Sequence, residues 1–276
     1  MFLTTSRFQV DLTQPRVMGI VNLTPDSFSD GGRFAAASAA VAHAERLLRE
    51  GAELLDLGAE SSRPGAPEVP ADLEWQRLEG VLKAVLRFGV PVSVDTCKPE
   101  VMARALDLGV DLINDIKALQ APGALELLAS HPRAGVCLMH MRGTAAHMQQ
   151  MTDYADIVAD VRDFLLDRAL RAQAAGIAAD RLVIDPGYGF AKTAVQNLCL
   201  QASPALRGLG YPILAGWSRK STLGWISGAP TADRLPGSLA AALAAVQSGA
   251  RILRVHDVGA TVQALRTWNA MTAADA

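Results

Sequence analysis

Cysteine is scarce in this sequence. Three residues, Cys97, Cys137 and Cys199, give an odd total and no CxxC pair. That excludes a disulfide-stapled scaffold and suits a reducing compartment. Net charge is almost absent, at −2, so no general excess of cations exists to attract nucleic acid. A bound anion would need a local basic cluster. No apolar run reaches the ~20 residues that cross a bilayer, and residues 1–14 lack the charged-then-apolar order of an export signal. The expectation is a soluble, cytoplasmic protein with no nucleic-acid or membrane partner.

What the chain has is hydrophobic mass. Half of its 276 residues are apolar, and the length is close to that of one β/α barrel, about 250 residues. Short apolar runs recur at 17–21, 54–57, 90–94, 111–113, 135–139, 182–184, 212–215 and 251–255. Most lack polar alternation, as expected of parallel strands covered on both faces. Helical spacing lies between them: Leu78, Val81, Leu82 and Val85 share one face, and Tyr154, Ile157, Val158 and Val161 another. Gly51, Gly89, Gly109, Gly176, Gly210 and Gly249 each stand just before a run, where a left-handed residue closes the preceding helix. The pattern predicts a single-domain α/β fold, a (β/α)8 TIM barrel over residues 1–276. Residues 1–14 form an N-terminal extension, and 271–276 a fraying tail. An open doubly wound sheet is the alternative.

Barrel chemistry collects on the loops after the strands, and polar residues cluster there. Asn22 follows the first run, Ser62 and Arg63 the second, and Asp95 ends the third. Asn114 and Asp115 follow the fourth, His140 and Arg142 the fifth, and Asp185 the sixth. Ser218 to Ser221 follow the seventh, and Arg254 and His256 the eighth. An aspartate at one strand end is often a helix cap, and Asp95 could cap a helix starting near Pro99. Eight such endings on one rim surround one pocket. Asp95, Asn114 and Asp185 suit the N–H edges of a flat heterocycle, while Arg63, Lys220, Arg254 and His256 suit an anion.

Several segments resemble those of dihydropteroate synthases. These are MGIVNLTPDSFSDGG at 18–32, GAESSRPGA at 58–66, SVDT at 93–96 and IND at 113–115. MHMRGT at 139–144, DPGYGF at 185–190, GWSRKS at 216–221 and RVHDV at 254–258 follow in the family's order. The resemblance runs from about residue 16 to 268. It implies condensation of 6-hydroxymethyl-7,8-dihydropterin diphosphate with p-aminobenzoate, assisted by Mg2+, in a homodimer. It also implies roles for individual residues. Asn22 would be the metal ligand. Asp95, Asn114, Asp185 and Lys220 would bind the pterin. Ser62, Arg63, Pro64, Phe190, Ser218, Ser221, Arg254 and His256 would bind the diphosphate and the aminobenzoate. Arg63, Asp30 and Lys220 would act in catalysis, with Asp30 facing a developing cation. The loops 24–32 and 61–67 would close over the site.

Four positions depart from the family's usual residues: Ser62 for Thr, Ile116-Lys117-Ala118 for a Gly- or Ser-rich stretch, Tyr188 for Ile, and Ala191 for Gly. Two rival readings share the barrel, a corrinoid-type pterin methyltransferase and a pterin-binding paralogue that does not condense. The methyltransferase needs neither the TPDSFSDGG loop nor the Arg254 and His256 anion site, and the intact loops after the first two strands argue against the paralogue.

Overall fold

The computed structural model describes residues 1–23 and 32–273. The chain opens with a hairpin, β1 (Phe2–Thr4) against β2 (Gln9–Asp11). Strands and helices then alternate: β3 (Arg16–Asn22), α1 (Gly32–Arg49), β4 (Leu54–Gly58), α2 (Ala71–Val85), β5 (Val92–Asp95), α3 (Pro99–Asp107), β6 (Leu112–Asp115) and α4 (Ala124–Ser130). The second half continues with β7 (Gly135–Met139), α5 (Ile157–Ala174), β8 (Leu182–Asp185), α6 (Ala194–Ala202), β9 (Ile213–Ala215), α7 (Ser221–Ser227), α8 (Leu235–Gln247), β10 (Ala250–Val255) and α9 (Val258–Ala273). Strands β3 to β10 pair in parallel and close into one barrel, β10 returning to β3. The expected TIM barrel is therefore the fold.

Alternation along each strand sorts the side chains. Outward residues such as Leu55, Leu57, Val92, Val94, Ile113, Val136, Leu138 and Ile184 pack under the helices in the main core. Inward residues Met18, Leu54, Leu112, Cys137, Val183, Leu214 and Ile252 form a separate apolar layer inside the barrel, joined by Leu3 and Leu12 from the hairpin segment. Two residues further along the same strands, the inward positions become Asp56, Asn114, Met139, Asp185 and Arg254. The barrel thus carries an oily floor beneath a polar layer, and strand period alone dictates where the change occurs.

The six glycines before the strands have φ between 72° and 104°, the left-handed conformation that closes a helix without a Cβ clash. Some expectations shift. Residues 1–14 are not merely an extension, because the hairpin is anchored by Arg7, which meets the buried Asp111 at 2.5 Å. Helix α5 starts at Ile157, capped by Asp156, whose carboxylate accepts from Val158 and Ala159 N–H at 2.9 and 3.1 Å. Tyr154 therefore lies outside the helix, and the buried face is Val161, Leu165, Ala169 and Ala172. Helix α9 runs to Ala273.

Candidate active site

Asp56, Asp95, Asn114 and Arg254 form one network in the polar layer. Arg254 donates from Nε to Asp56 Oδ2 at 2.6 Å and from Nη2 to Asp95 Oδ2 at 2.8 Å. Asn114 donates from Nδ2 to the same Asp56 oxygen at 3.1 Å. Asp95 does not cap α3, whose N-cap is Lys98 with no side-chain cap. It faces the barrel mouth instead, at the end of β5. Burial pushes its carboxyl up to about 7, with Asp56, Glu74 and Asp115 adding to the rise and Arg254 opposing it.

Asp185 closes β8 and is held by the turn that follows. Its Oδ1 accepts the Gly187 N–H at 2.7 Å. Gly187 has φ +67°, and a Cβ there would stand 2.1 Å from the His140 carbonyl oxygen, so only glycine fits. Burial raises the Asp185 carboxyl, while the Gly187 N–H and Lys220 hold it down. Lys220 makes no direct ion pair with Asp185. Its ammonium lies 4.0 Å from the Phe190 ring centroid, a cation–π contact. Burial and Arg254 together outweigh Asp185 and Asp95, and its pKa falls to about 8. Lys220 is protonated at neutral pH, but with less margin than an ordinary lysine.

The 187–191 turn rests on Lys192, a residue the motif reading passed over. Lys192 is 3% exposed. Its ammonium donates to the carbonyls of His140, Gly187 and Phe190 at 3.2, 3.0 and 2.9 Å, and meets His140 Nδ1 at 2.9 Å. Burial and the adjacent Lys192 depress His140 to about 2, so the ring is neutral. Tyr188 stacks on Trp217, with ring centroids 4.3 Å apart. Ala191 has φ +50°, which explains why glycine is usual there.

His256 differs from its expected cationic role. Burial, Arg219 and Arg254 lower it to about 4. Ser218 Oγ accepts the His256 backbone N–H at 3.2 Å and lies 2.9 Å from Nδ1. The Ser218 hydroxyl is thus the partner of Nδ1, and Nε2 has no hydrogen-bond partner among the described residues. His256 therefore offers the rim a neutral ring rather than charge. Arg254 is turned onto two carboxylates, leaving Nη1 and one Nη2 hydrogen for a ligand.

The second loop forms a tight turn. Ala66 N–H donates to Arg63 O at 3.0 Å, with Pro64 and Gly65 (φ +78°) between them, the pattern of a type II turn. Gly65 N–H donates to Ala145 O at 3.0 Å, which ties this turn to the loop after β7. Arg63 and Pro64 are exposed and Ser62 is half-buried. A cavity of about 140 Å³ opens below, lined among others by Glu60, Ser62, Asp95, Lys117 and Met141. Lys117 therefore enters the site region. Met139, Met141, Met148, Phe190 and Ala191 form an apolar wall beside it, with Ile116 packed against them.

The 116–119 segment carries strain. Ala118 and Leu119 have φ of 51° and 57°, where a Cβ costs roughly 1–2 kcal/mol per residue. Asp115 offsets this by accepting the N–H groups of Lys117 and Leu119 at 2.8 and 2.7 Å. Arg168, from α5, donates to the Ala118 and Leu119 carbonyls at 2.8 and 3.0 Å. Asp115 thus serves the turn and not a ligand. Asn22 is exposed at the end of β3, and Ser221 is exposed at the start of α7. Asp30 and the rest of loop 24–31 lie outside the described residues.

Comparison with known proteins agrees with this geometry. The sequence pattern of the family described as "Pterin binding enzyme" matches residues 18–256. The dihydropteroate synthase of Neisseria meningitidis serogroup C is 51% identical over 270 residues, covering 96% of this chain and 95% of the relative. A solved structure of Xanthomonas albilineans dihydropteroate synthase with 4-aminobenzoic acid superposes with a TM-score of 0.90 at 50% identity, covering 96% of each chain. Another, of the same organism's enzyme in complex with 7,8-dihydropteroate, gives 0.90 at 47% identity over 99% of each. With the polar layer, the rim and near-complete coverage in accord, the chain belongs to the dihydropteroate synthases.

Proposed function

We propose that the chain joins p-aminobenzoate to the methylene carbon of 6-hydroxymethyl-7,8-dihydropterin diphosphate, releasing diphosphate and 7,8-dihydropteroate. The observation that carries this is the polar layer itself. Asp95, Asn114 and Asp185 offer oxygen acceptors at one barrel mouth, and Lys220 and Arg254 supply cations among them. Carboxylates accept the parallel N–H groups of a 2-amino-4-oxo edge as they accept a guanidinium. Met139, Phe190 and Ile116 offer an apolar wall for the ring.

In this reading diphosphate departure runs ahead of amine attack. The leaving group is good, and the pterin delocalises positive charge at the methylene. Catalysis then consists of stabilising separating charges and aligning two substrates. Arg63, His256 and the outward hydrogens of Arg254 would hold the departing anion. Ser62, Pro64, Ser218 and Ser221 would shape the aminobenzoate slot. Asp30, by its family role, would face the developing cation.

Among the described residues no group of three or more His, Cys, Asp or Glu could hold a metal ion. Magnesium would be held mainly through substrate phosphate oxygens and water, with Asn22, exposed at the end of β3, as its protein ligand. When bound it would neutralise charge on the diphosphate.

A homodimer fits the surface. Val195 and Leu198 on α6, Trp225 and Ile226 on α7, and Leu235 on α8 are exposed apolar residues on neighbouring helices. A second copy is the occupant we infer. Among the described residues no helix is long and apolar enough to cross a membrane, and a cytoplasmic location fits the three free thiols.

The test is a coupled assay with both substrates and magnesium. Formation of 7,8-dihydropteroate is expected. Pterin binding without product would instead mark a non-condensing paralogue.

A further inference from the structure

We propose that Asp56 is a positioning residue that fixes which hydrogen-bonding edge the barrel mouth presents to a heterocycle. The inference deepens the pterin site proposed above and rests on it. Asp56 is fully buried in the middle of β4, between the apolar Leu55 and Leu57. One of its oxygens, Oδ1, is buried with no hydrogen-bond partner. A carboxylate half satisfied in a core is costly, and the barrel would pack more simply with an aliphatic residue there. Its partners supply the reason for its presence.

Oδ2 accepts from Arg254 Nε at 2.6 Å and from Asn114 Nδ2 at 3.1 Å. An asparagine amide has two nearly equivalent orientations that exchange its oxygen and nitrogen. Facing an oxygen that already accepts from a guanidinium, only the NH2 side is attractive. Asp56 therefore selects one orientation. Asn114 Oδ1 is left buried without a protein partner, available to an N–H of a bound ring. The same carboxylate holds Arg254 by Nε, and this brings Nη2 onto Asp95 at 2.8 Å. One buried acid thus sets the acceptor pattern of Asn114 and the placement of the cation beside Asp95, without reaching the ligand itself. Remove it, and Asn114 is free to offer N–H groups toward a ligand edge that also offers N–H.

The experiment uses the full chain with Asp56→Ala and Asp56→Asn, assayed near pH 8 with each substrate varied in turn. Asp56→Ala is expected to raise KM for the pterin diphosphate about tenfold or more, with KM for p-aminobenzoate changed by less than about twofold. Asp56→Asn retains an acceptor oxygen and should fall between. A carboxylate with only a structural role would reduce the yield of folded enzyme and leave both KM values in place. If the alanine variant does not fold, the asparagine variant is read on the same split. An unchanged pterin KM in a folded variant overturns the proposal. Asn114→Ala separates the two levels. If it too leaves the pterin KM unchanged, the pterin site was misassigned. If it raises KM while the Asp56 variants do not, the positioning role alone is wrong.

Discussion

Acidification through neutrality should weaken capture of the pterin substrate by protonating Asp95. Burial holds this carboxyl at about 7 even with Arg254 2.8 Å away. Loss of water around the carboxylate is the main cause, and the neighbouring Asp56, Glu74 and Asp115 add to it. A protonated acid turns one acceptor into a donor, which opposes a pterin N–H. Because the pKa is raised, the protonated form lies on the acid side. The contribution of ionised Asp95 is present above about 7 and is lost below it. For one group titrating near 7, the ionised fraction falls from roughly 90% at about pH 8 to roughly 10% at about pH 6. Since kcat/KM reports the free enzyme, its value for the pterin diphosphate should fall about tenfold, equivalent to ~1.4 kcal/mol. The assay is initial rate against pH at saturating p-aminobenzoate. The substrate's own phosphates titrate in this range, so the same profile is taken on Asp95→Asn, which keeps an acceptor oxygen but cannot titrate. A wild-type profile that parallels the variant's, with no additional acid limb, refutes the assignment.

Other perturbations probe the remaining parts. Asp185→Asn should weaken pterin binding by at least about a hundredfold, since it loses charge-assisted bonds of ~1.5–3 kcal/mol each; calorimetry that finds wild-type affinity contradicts the role. Arg63→Ala should lower kcat more than it changes pterin affinity, and wild-type kinetics would remove Arg63 from catalysis. Arg168→Ala deletes the two bonds to the Ala118 and Leu119 carbonyls. It should cost about 1–3 kcal/mol in denaturant unfolding and raise the pterin KM, whereas unchanged stability would mean the turn holds itself. Trp225→Glu should yield monomers by sedimentation if α7 lies in the dimer contact, and an unaltered mass would place the contact elsewhere.

Much of the barrel was legible because buried parallel strands leave unbroken apolar runs, and each run ended near the expected place. The rim was legible for a related reason: Asp95, Asn114 and Asp185 stand where runs stop, Lys220 and Arg254 lie in motifs that follow or end one, and the structure brings all five together. Asp56 escaped because it lies inside a run and in none of the matching motifs. Counting inward positions by twos from Leu54 would have found it. Lys192 gave no signal, since its partners are backbone carbonyls from two loops. The charge state of His256 depends on how deeply the ring is covered, which spacing does not encode. Three-residue strands carry no period, so the hairpin at 2–11 read as an extension.

That hairpin has a wider consequence. Leu3 and Leu12 pack into the apolar floor with no exposure to solvent, which closes that end of the barrel beneath the carboxylates and cations. With the floor closed, whatever covers the opposite end governs the dielectric felt by every charge in the layer at once. Closure would strengthen all of their interactions with a substrate together, and an opened floor would weaken them together.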